Sequence, residues 1–465
     1  MNGFLSFLKP QNMSLFTDYY ELTMCASYFV NKNFEPATFD LFIRRLPENR
    51  SYFLFAGLED ALQYLQNITF TEEHLTYLKK QGFGHDFLNY LRGFKFTGDV
   101  WAVPEGTVAF PNEPLMRVTA PIIEAQLAET FLLNTINLQT MIATKASRVV
   151  HAAKGKSVIE FGLRREQGVD AGMKVARSSY IAGCQGTSNV LAGMAYGISV
   201  FGTMAHSFIM SYSKEIDAFR AFAKTFPNKS TLLIDTYDDM AGAEKAVVVA
   251  KELEAKGFKL GGIRLDSGDL ADTSKKIRKI LDENNLGYVK IFVSGDLDEY
   301  KITQLLNEGG KIDSFGVGTK MGTSADRPYL DVIYKLCETR GLDGSFSAIM
   351  KLSKDKITLP GRKQVYRFQD DERFFRKDII ALADEKVGGE PLLVKVIENG
   401  ELNYCQPSLQ EIRAKASDSL SKLPAEFKTL TNASLFPVEL SEKLQQLIRN
   451  TKLQLTKNEI NNVAP

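Results

Sequence analysis

Apolar positions between residues 140 and 335 follow two alternating rhythms. Short apolar runs such as Leu232-Leu233-Ile234 and Ile291-Phe292-Val293 read as buried strands. Between them, apolar residues recur at helical spacing: Ala243, Ala246, Val247, Ala250 and Leu253 over 239–256, and Ile277, Ile280 and Leu281 over 269–284. Asp269 stands where an N-cap belongs, and Gly257 and Gly287 where C-caps belong. The units repeat at about 30 residues, the length of a βαβ module, so a parallel sheet is expected. Ligand-type residues end many successive strands. That favours a barrel over an open sheet, which would gather them at one switch point.

The flanks have a different pattern. Within 1–135, positions 37–43 alternate as a strand. Leu58, Ala61, Leu62 and Leu65 share one helical face, and 98–103 followed by Pro104-Glu105-Gly106 reads as strand and turn. Within 341–465, Lys351-Leu352-Ser353 and residues 359–367 suggest a β-rich piece with a tight turn. Residues 441–452 suggest an amphipathic helix, and the polar tail after Leu455 a disordered end. The expected architecture is α/β: an irregular α/β barrel at 136–340, an α+β N-terminal domain at 1–135 and a small C-terminal β-rich and helical region at 341–465.

The strand ends carry the candidate chemistry. Ile198-Ser199-Val200-Phe201 runs through Gly202 into Thr203 and His206. Glu160-Phe161-Gly162-Leu163 leads to Arg164 and Arg165, Leu232-Leu233-Ile234 to Asp235, and Gly262-Ile263 to Arg264, Asp266 and Asp269. Ile291-Phe292-Val293 leads to Ser294, Gly295 and Asp296, and Phe315-Gly316-Val317-Gly318 to Thr319. A barrel gathers its strand C-termini at one mouth. This mouth would hold an imidazole, cations, carboxylates and two glycine-rich turns, a set suited to a phosphorylated, multiply anionic substrate with a metal.

Each residue also has a plain reading. A lone histidine after a strand is often structural, and the chain has four. Beside Gly202 and Thr203, His206 becomes a candidate base, metal ligand or phosphoryl acceptor. Arg264-Leu265-Asp266-Ser267-Gly268-Asp269 is either a salt-bridged strand-to-helix turn or an anion site. Arg264 and Asp266 share a face of an extended segment, an arginine fork grips phosphate or carboxylate, and neighbouring carboxylates hold Mg2+ or ribose hydroxyls. The turns at Ser294-Gly295-Asp296 and Gly316-Val317-Gly318-Thr319 either serve tight geometry or present amides to an anion at helix N-termini. Thr17-Asp18-Tyr19-Tyr20 opens a helix. Two adjacent tyrosines cannot both face one core, so one is left to stack on a flat ring.

Composition narrows the class. With 57 basic and 56 acidic residues the formal net charge is +1, without the basic excess of a nucleic-acid protein. The chain is 44% hydrophobic and 24% charged, ordinary for a globular protein. No apolar run approaches the ~20 residues of a bilayer span. The N-terminal run of Phe4, Leu5, Phe7 and Leu8 is cut off by Lys9 and Pro10, so a cytoplasmic protein is expected. The four cysteines, Cys25, Cys184, Cys337 and Cys405, are far apart and read as small buried hydrophobes.

Seven segments together resemble the nicotinate phosphoribosyltransferase family, in the family's order and across nearly the whole chain. They are Thr17-Asp18-Tyr19-Tyr20-Glu21-Leu22-Thr23-Met24, Glu160-Phe161-Gly162-Leu163-Arg164-Arg165, Phe201-Gly202-Thr203-Met204-Ala205-His206-Ser207, Gly262-Ile263-Arg264-Leu265-Asp266-Ser267-Gly268-Asp269-Leu270, Ser294-Gly295-Asp296, Gly316-Val317-Gly318-Thr319 and Leu359-Pro360-Gly361-Arg362-Lys363-Gln364-Val365-Tyr366. The resemblance implies a type II phosphoribosyltransferase and a homodimer whose N-terminal segments complete each other's sites. It implies joining nicotinate to 5-phosphoribosyl-1-diphosphate, with ATP hydrolysed in a coupled step and Mg2+ as cofactor. It also implies that His206 is phosphorylated by ATP. In the same way it marks Tyr20 and Thr203 as nicotinate contacts, Phe161 as a substrate contact, Arg264 and Asp266 as catalytic with Arg264 recognising the bound anion, and Arg164, Ser294, Gly295, Gly318 and Thr319 or Thr323 as phosphate contacts. Asp266 and Asp269 are the metal candidates. Nicotinamide and quinolinate phosphoribosyltransferases, and a non-catalytic nucleotide-binding barrel, are the alternatives.

Overall fold

The computed structural model describes residues 10–341, 344–353 and 358–461. Phe4, Leu5, Phe7 and Leu8 lie outside the described residues, as do 462–465. The chain forms two compact units. One is Ile142–Pro328; the other is built from both flanks, up to Met141 and from Tyr329 onward. The pattern of the sequence suggested three consecutive stretches. Two units result because strands from both flanks hydrogen-bond into one sheet.

The inner unit carries six parallel strands: β1 (Ser157–Glu160), β2 (Gly186–Thr187), β3 (Thr231–Leu233), β4 (Gly262–Leu265), β5 (Lys290–Val293) and β6 (Ser314–Val317). They lie in the order β2-β1-β6-β5-β4-β3. Strands consecutive in sequence are neighbours from β3 to β6, and the last strand pairs with the first, Ser314 opposite Ser157. That cyclic order is a barrel's. The barrel is irregular: a single bridge from Thr187 to Val200 extends the β2 edge, and among the described residues no ladder joins that edge to β3. The strand expected at 198–201 is reduced to this bridge. The reason is that β2 has two residues, and Thr187 alone makes both bonds, donating to Ser199 O and accepting from Phe201 N. His206 then opens the short helix His206–Met210.

The apolar side chains of these strands are buried between helices and barrel interior. Val158, Leu232, Ile263, Ile291, Val293, Phe315 and Val317 are all buried. Helix Asp239–Glu254 is capped by Asp238, and helix Leu270–Glu283 by Asp269. Gly257 takes the expected left-handed conformation at φ +80°. At the second helix Asn285, at φ +57°, fills that role in place of Gly287, asparagine being the residue besides glycine that tolerates it. Lys145 Nζ lies 2.7 Å from Glu299 and 2.9 Å from Asp326, tying the end of helix Glu129–Ala152 to helix Glu299–Asn307.

In the flanking unit, strands Pro36–Ile43, Pro114–Pro121 and Asp99–Ala102 pair antiparallel with each other. Val332–Arg340 joins one side and Val394–Glu398 the other. A second sheet includes Lys363–Gln369 and Phe375–Leu382. Helices Leu58–Asn67 and Glu442–Leu455 stand where the pattern put them. Residues 351–353 form no strand, and the tail after Leu455 continues as the helical segment Thr456–Asn461. Cys25, Cys184 and Cys337 are buried as expected, whereas Cys405 is exposed. Among the described residues, no helix is long and apolar enough to cross a membrane.

Candidate active site

Arg264 is the hub of the barrel mouth. It sits on β4, where the side chains alternate between helix layer and interior, so the same face carries Arg264 and Asp266. Its Nε donates to Ser294 Oγ at 2.8 Å, its Nη1 to Thr203 Oγ1 at 3.2 Å and its Nη2 to Asp266 Oδ1 at 2.7 Å. The guanidinium lies 5.8 Å from the centre of the Phe161 ring. Ser294 also donates to Asp266 Oδ1. Burial works to raise the Asp266 carboxyl, but the Ser294 hydroxyl and the Arg264 charge outweigh it and hold the group below the ordinary carboxylate range. Four sequence candidates from three strand ends and loops are thereby in contact: Thr203, Arg264, Asp266 and Ser294, with Phe161 beneath.

His206 is half-buried, and its Nδ1 lies 3.1 Å from Thr236 Oγ1. Asp235, just before Thr236, accepts from the Asp266 amide at 2.8 Å and from Ser267 Oγ at 2.9 Å, both through Oδ2. Its Oδ1 is buried and has no hydrogen-bond partner among the described residues. Thr236 was not singled out from the sequence, and Asp235 was noted only as a strand end. The signal for both was present, since they follow β3 as Arg264 and Asp266 follow β4.

The two glycine turns bring backbone to backbone. Gly295 has φ +99°, and a Cβ there would collide with the Asp266 carbonyl. Only glycine lets the turn after β5 close on the turn after β4. A Cβ at Gly318 would lie 2.9 Å from the Phe161 carbonyl oxygen. Arg164 is exposed on the turn Leu163–Arg165, and the neighbouring Arg165 Nη1 reaches Thr319 Oγ1 at 3.4 Å. Thr323 directs its hydroxyl to the Thr319 carbonyl at 2.7 Å, closing the turn.

Other candidates stand apart. Asp269 Oδ1 accepts from the Asp272 amide at 3.1 Å, so this carboxylate serves as the N-cap of its helix. Among the described residues no three His, Cys, Asp or Glu side chains form a metal cluster. Tyr20 belongs to the flanking unit, on helix Tyr19–Val30, and is 48% exposed. Tyr19 packs its ring 5.7 Å from Phe83. Burial, followed by the charge of Glu129, raises the Tyr20 hydroxyl well above its ordinary value and keeps it protonated.

Models of the nicotinate phosphoribosyltransferase N-terminal domain, family core and C-terminal domain match residues 15–137, 157–369 and 387–448. A nicotinate phosphoribosyltransferase of Mycobacterium tuberculosis is 45% identical over 93% of this chain and 92% of its own length. The chain belongs to the nicotinate phosphoribosyltransferase family. A family member from Bacillus subtilis is 41% identical, covering 93% of this chain and 94% of its own. The crystal structure of human nicotinic acid phosphoribosyltransferase superposes with a TM-score of 0.84 at 30% identity, covering 93% of this chain and 99% of that one. A nicotinate-nucleotide pyrophosphorylase from Pyrococcus furiosus follows at TM-score 0.73 and 27% identity, covering 91% and 98%. Within the nicotinate phosphoribosyltransferase family the barrel mouth described above is therefore the candidate active site.

Proposed function

We propose that this chain transfers the phosphoribosyl group of 5-phosphoribosyl-1-diphosphate to nicotinate, giving nicotinate mononucleotide and pyrophosphate, the entry of nicotinic acid into NAD salvage. The observation that carries the reading is the Arg264 hub. It is a guanidinium held by Thr203, Ser294 and Asp266 over an aromatic ring, beside two glycine turns. The pyridine nitrogen attacks ribosyl C1 as the C1–O bond breaks, and the bonding electrons leave on pyrophosphate. Nicotinate needs no base, since its nucleophile already carries the lone pair. The protein orients the two substrates and meets the developing negative charge with arginines and turn amides. Phe161, and Tyr20 from a second copy, would flank the pyridine ring. Arg164, Gly295, Gly318 and Thr319 would hold phosphates.

ATP coupling proceeds through His206. The orientation toward Thr236 leaves Nε2 as the nucleophile. It attacks the γ-phosphorus, the bond to ADP breaks, and water later cleaves the P–N bond to release phosphate. Mg2+ would be held by Asp235 and Asp266, because Asp235 Oδ1 is a buried acceptor without a donor among the described residues. When bound, Mg2+ neutralises the leaving pyrophosphate. The test is turnover of labelled nicotinate in the presence of 5-phosphoribosyl-1-diphosphate, ATP and Mg2+, with nicotinamide and quinolinate as competitors. Preferential consumption of either competitor, or no product at all, refutes it.

A further inference from the structure

Next to the arginine turn lies a pair of carboxyls that the proposed reaction does not use. Glu160, at the end of β1, is 1% exposed. It accepts from Thr187 Oγ1 at 2.5 Å and from the Gly162 amide. Glu166 follows the turn Leu163–Arg165. Both its oxygens are buried, and neither has a hydrogen-bond partner among the described residues. The two carboxyls converge at Gly162, where a Cβ would collide with Glu166 Oε1 and lie 3.0 Å from Glu160 Oε1. A Cβ at Gly322 would lie 2.6 Å from Glu166 Oε1, and one at Gly172 3.3 Å from its Oε2. Three glycines from three elements thus leave a socket that one carboxyl fills.

Two buried carboxylates in contact cannot both be ionised. Burial, reinforced by the charge of Glu160, pushes Glu166 up to about 9, so the pair keeps one proton at neutral pH. That proton is the missing partner. We infer that Glu166 is a positioning residue for the phosphoribosyl substrate: as a carboxylic acid it donates to the Glu160 carboxylate and ties the Leu163–Arg165 turn, with Arg164 and Arg165, to β1 and to the helix Thr319–Gly322. The inference rests on the phosphoribosyl transfer proposed above.

Charged groups on the surrounding elements do not replace this bond. Arg165 reaches Thr319, and Lys320 pairs with Asp296 and Asp298. On helix Val169–Ile181, Lys174 pairs with Asp170; Arg177 is buried on the same helix, and Arg164 is exposed on the turn itself. Above about pH 9 the pair becomes doubly charged, and repulsion frees the turn.

The test measures calorimetric binding of 5-phosphoribosyl-1-diphosphate and steady-state kinetics of the full chain, from neutral pH to beyond about pH 9. Glu166→Ala should weaken binding and raise KM for this substrate about tenfold, with kcat within about twofold of wild type. Glu166→Gln donates the same bond through its amide. It should restore neutral-pH affinity and hold it into the alkaline range, where wild-type affinity declines. The infrared absorption of protonated carboxyls at neutral pH, to which buried groups such as Glu21 also contribute, should lose one component in Glu166→Gln. Wild-type affinity in Glu166→Ala, failure of Glu166→Gln to rescue, or no protonated-carboxyl component lost between wild type and Glu166→Gln overturns the inference alone. A wild-type protein that binds no 5-phosphoribosyl-1-diphosphate overturns both the inference and the function it rests on.

Discussion

Arg264 and Asp266, two residues apart on one extended segment, form an ion pair at 2.7 Å whose carboxylate is also gripped by Ser294 from the next strand end. Arg264 thereby presents a fork fixed from three sides. Arg264→Lys keeps the charge and loses the planar donors to Thr203 and Ser294. We expect kcat/KM to fall on the order of a hundredfold with unchanged circular dichroism. Wild-type kinetics in the folded lysine variant would leave Arg264 a structural ion pair.

His206 should take label from γ-labelled ATP as an acid-labile, alkali-stable phosphoryl group, and His206→Ala should take none. Thr236→Val removes the hydroxyl 3.1 Å from Nδ1. It should slow labelling about tenfold, the effect of one lost hydrogen bond. Equal labelling in wild type and His206→Ala refutes the assignment.

Tyr20 lies on the N-terminal helix of the flanking unit, outside the barrel. If it is supplied to the site of a second copy, inactive Tyr20→Ala mixed with inactive His206→Ala should recover partial activity after subunit exchange. One site of the mixed dimer would then hold both native residues. Loss of the ring alone should weaken nicotinate binding by up to about tenfold, the scale of an aromatic stack. No recovery, with exchange confirmed by mass, excludes a shared site.

Burial raises the Glu21 carboxyl from its ordinary 4.5 to about 7, against hydrogen bonds from Thr17 and Thr130 that work to lower it. The folded chain therefore binds this proton more tightly than the unfolded chain. The associated stabilisation is complete below pH 4.5 and is lost as pH climbs to about 7. Glu21→Gln removes the titration, so its Tm relative to wild type should rise across that window. A difference in Tm that is independent of pH contradicts the assignment.

Arg367 and Asp378 are buried and paired at 2.5 Å, with the guanidinium 4.4 Å from the centre of the Phe375 ring. Asp378→Ala removes the carboxylate paired with the arginine and leaves the buried Glu113, whose carboxyl burial and Asp378 hold well above its ordinary value, as a neighbouring counter-charge, so the loss in denaturant unfolding should reach at most about 3–5 kcal/mol. A loss below about 1 kcal/mol would indicate that Glu113 or entering water takes over the compensation of Arg367.

Local chemistry was legible directly. The βα rhythm, the cap at Asp269, the left-handed Gly257 and the succession of polar residues after strands depend on residues a few positions apart, so periodicity and propensity suffice to read them. The Arg264–Asp266 pair was legible for the same reason, since an extended segment puts alternate residues on one face.

What joined distant segments was not. The flanks became one unit because Val332–Arg340 hydrogen-bonds to Pro36–Ile43 across some three hundred residues, a pairing no local pattern encodes. Asp269 looked like a metal ligand or a cap; only the folded helix directed its oxygen to the Asp272 amide. Thr236 acquired meaning when His206 folded back on it, and Glu166 when Gly162, Gly172 and Gly322 closed round its carboxyl. Sequence determines which groups a strand end carries. Tertiary structure decides which of those groups meet, because burial and close packing between elements set the partners and the protonation of each.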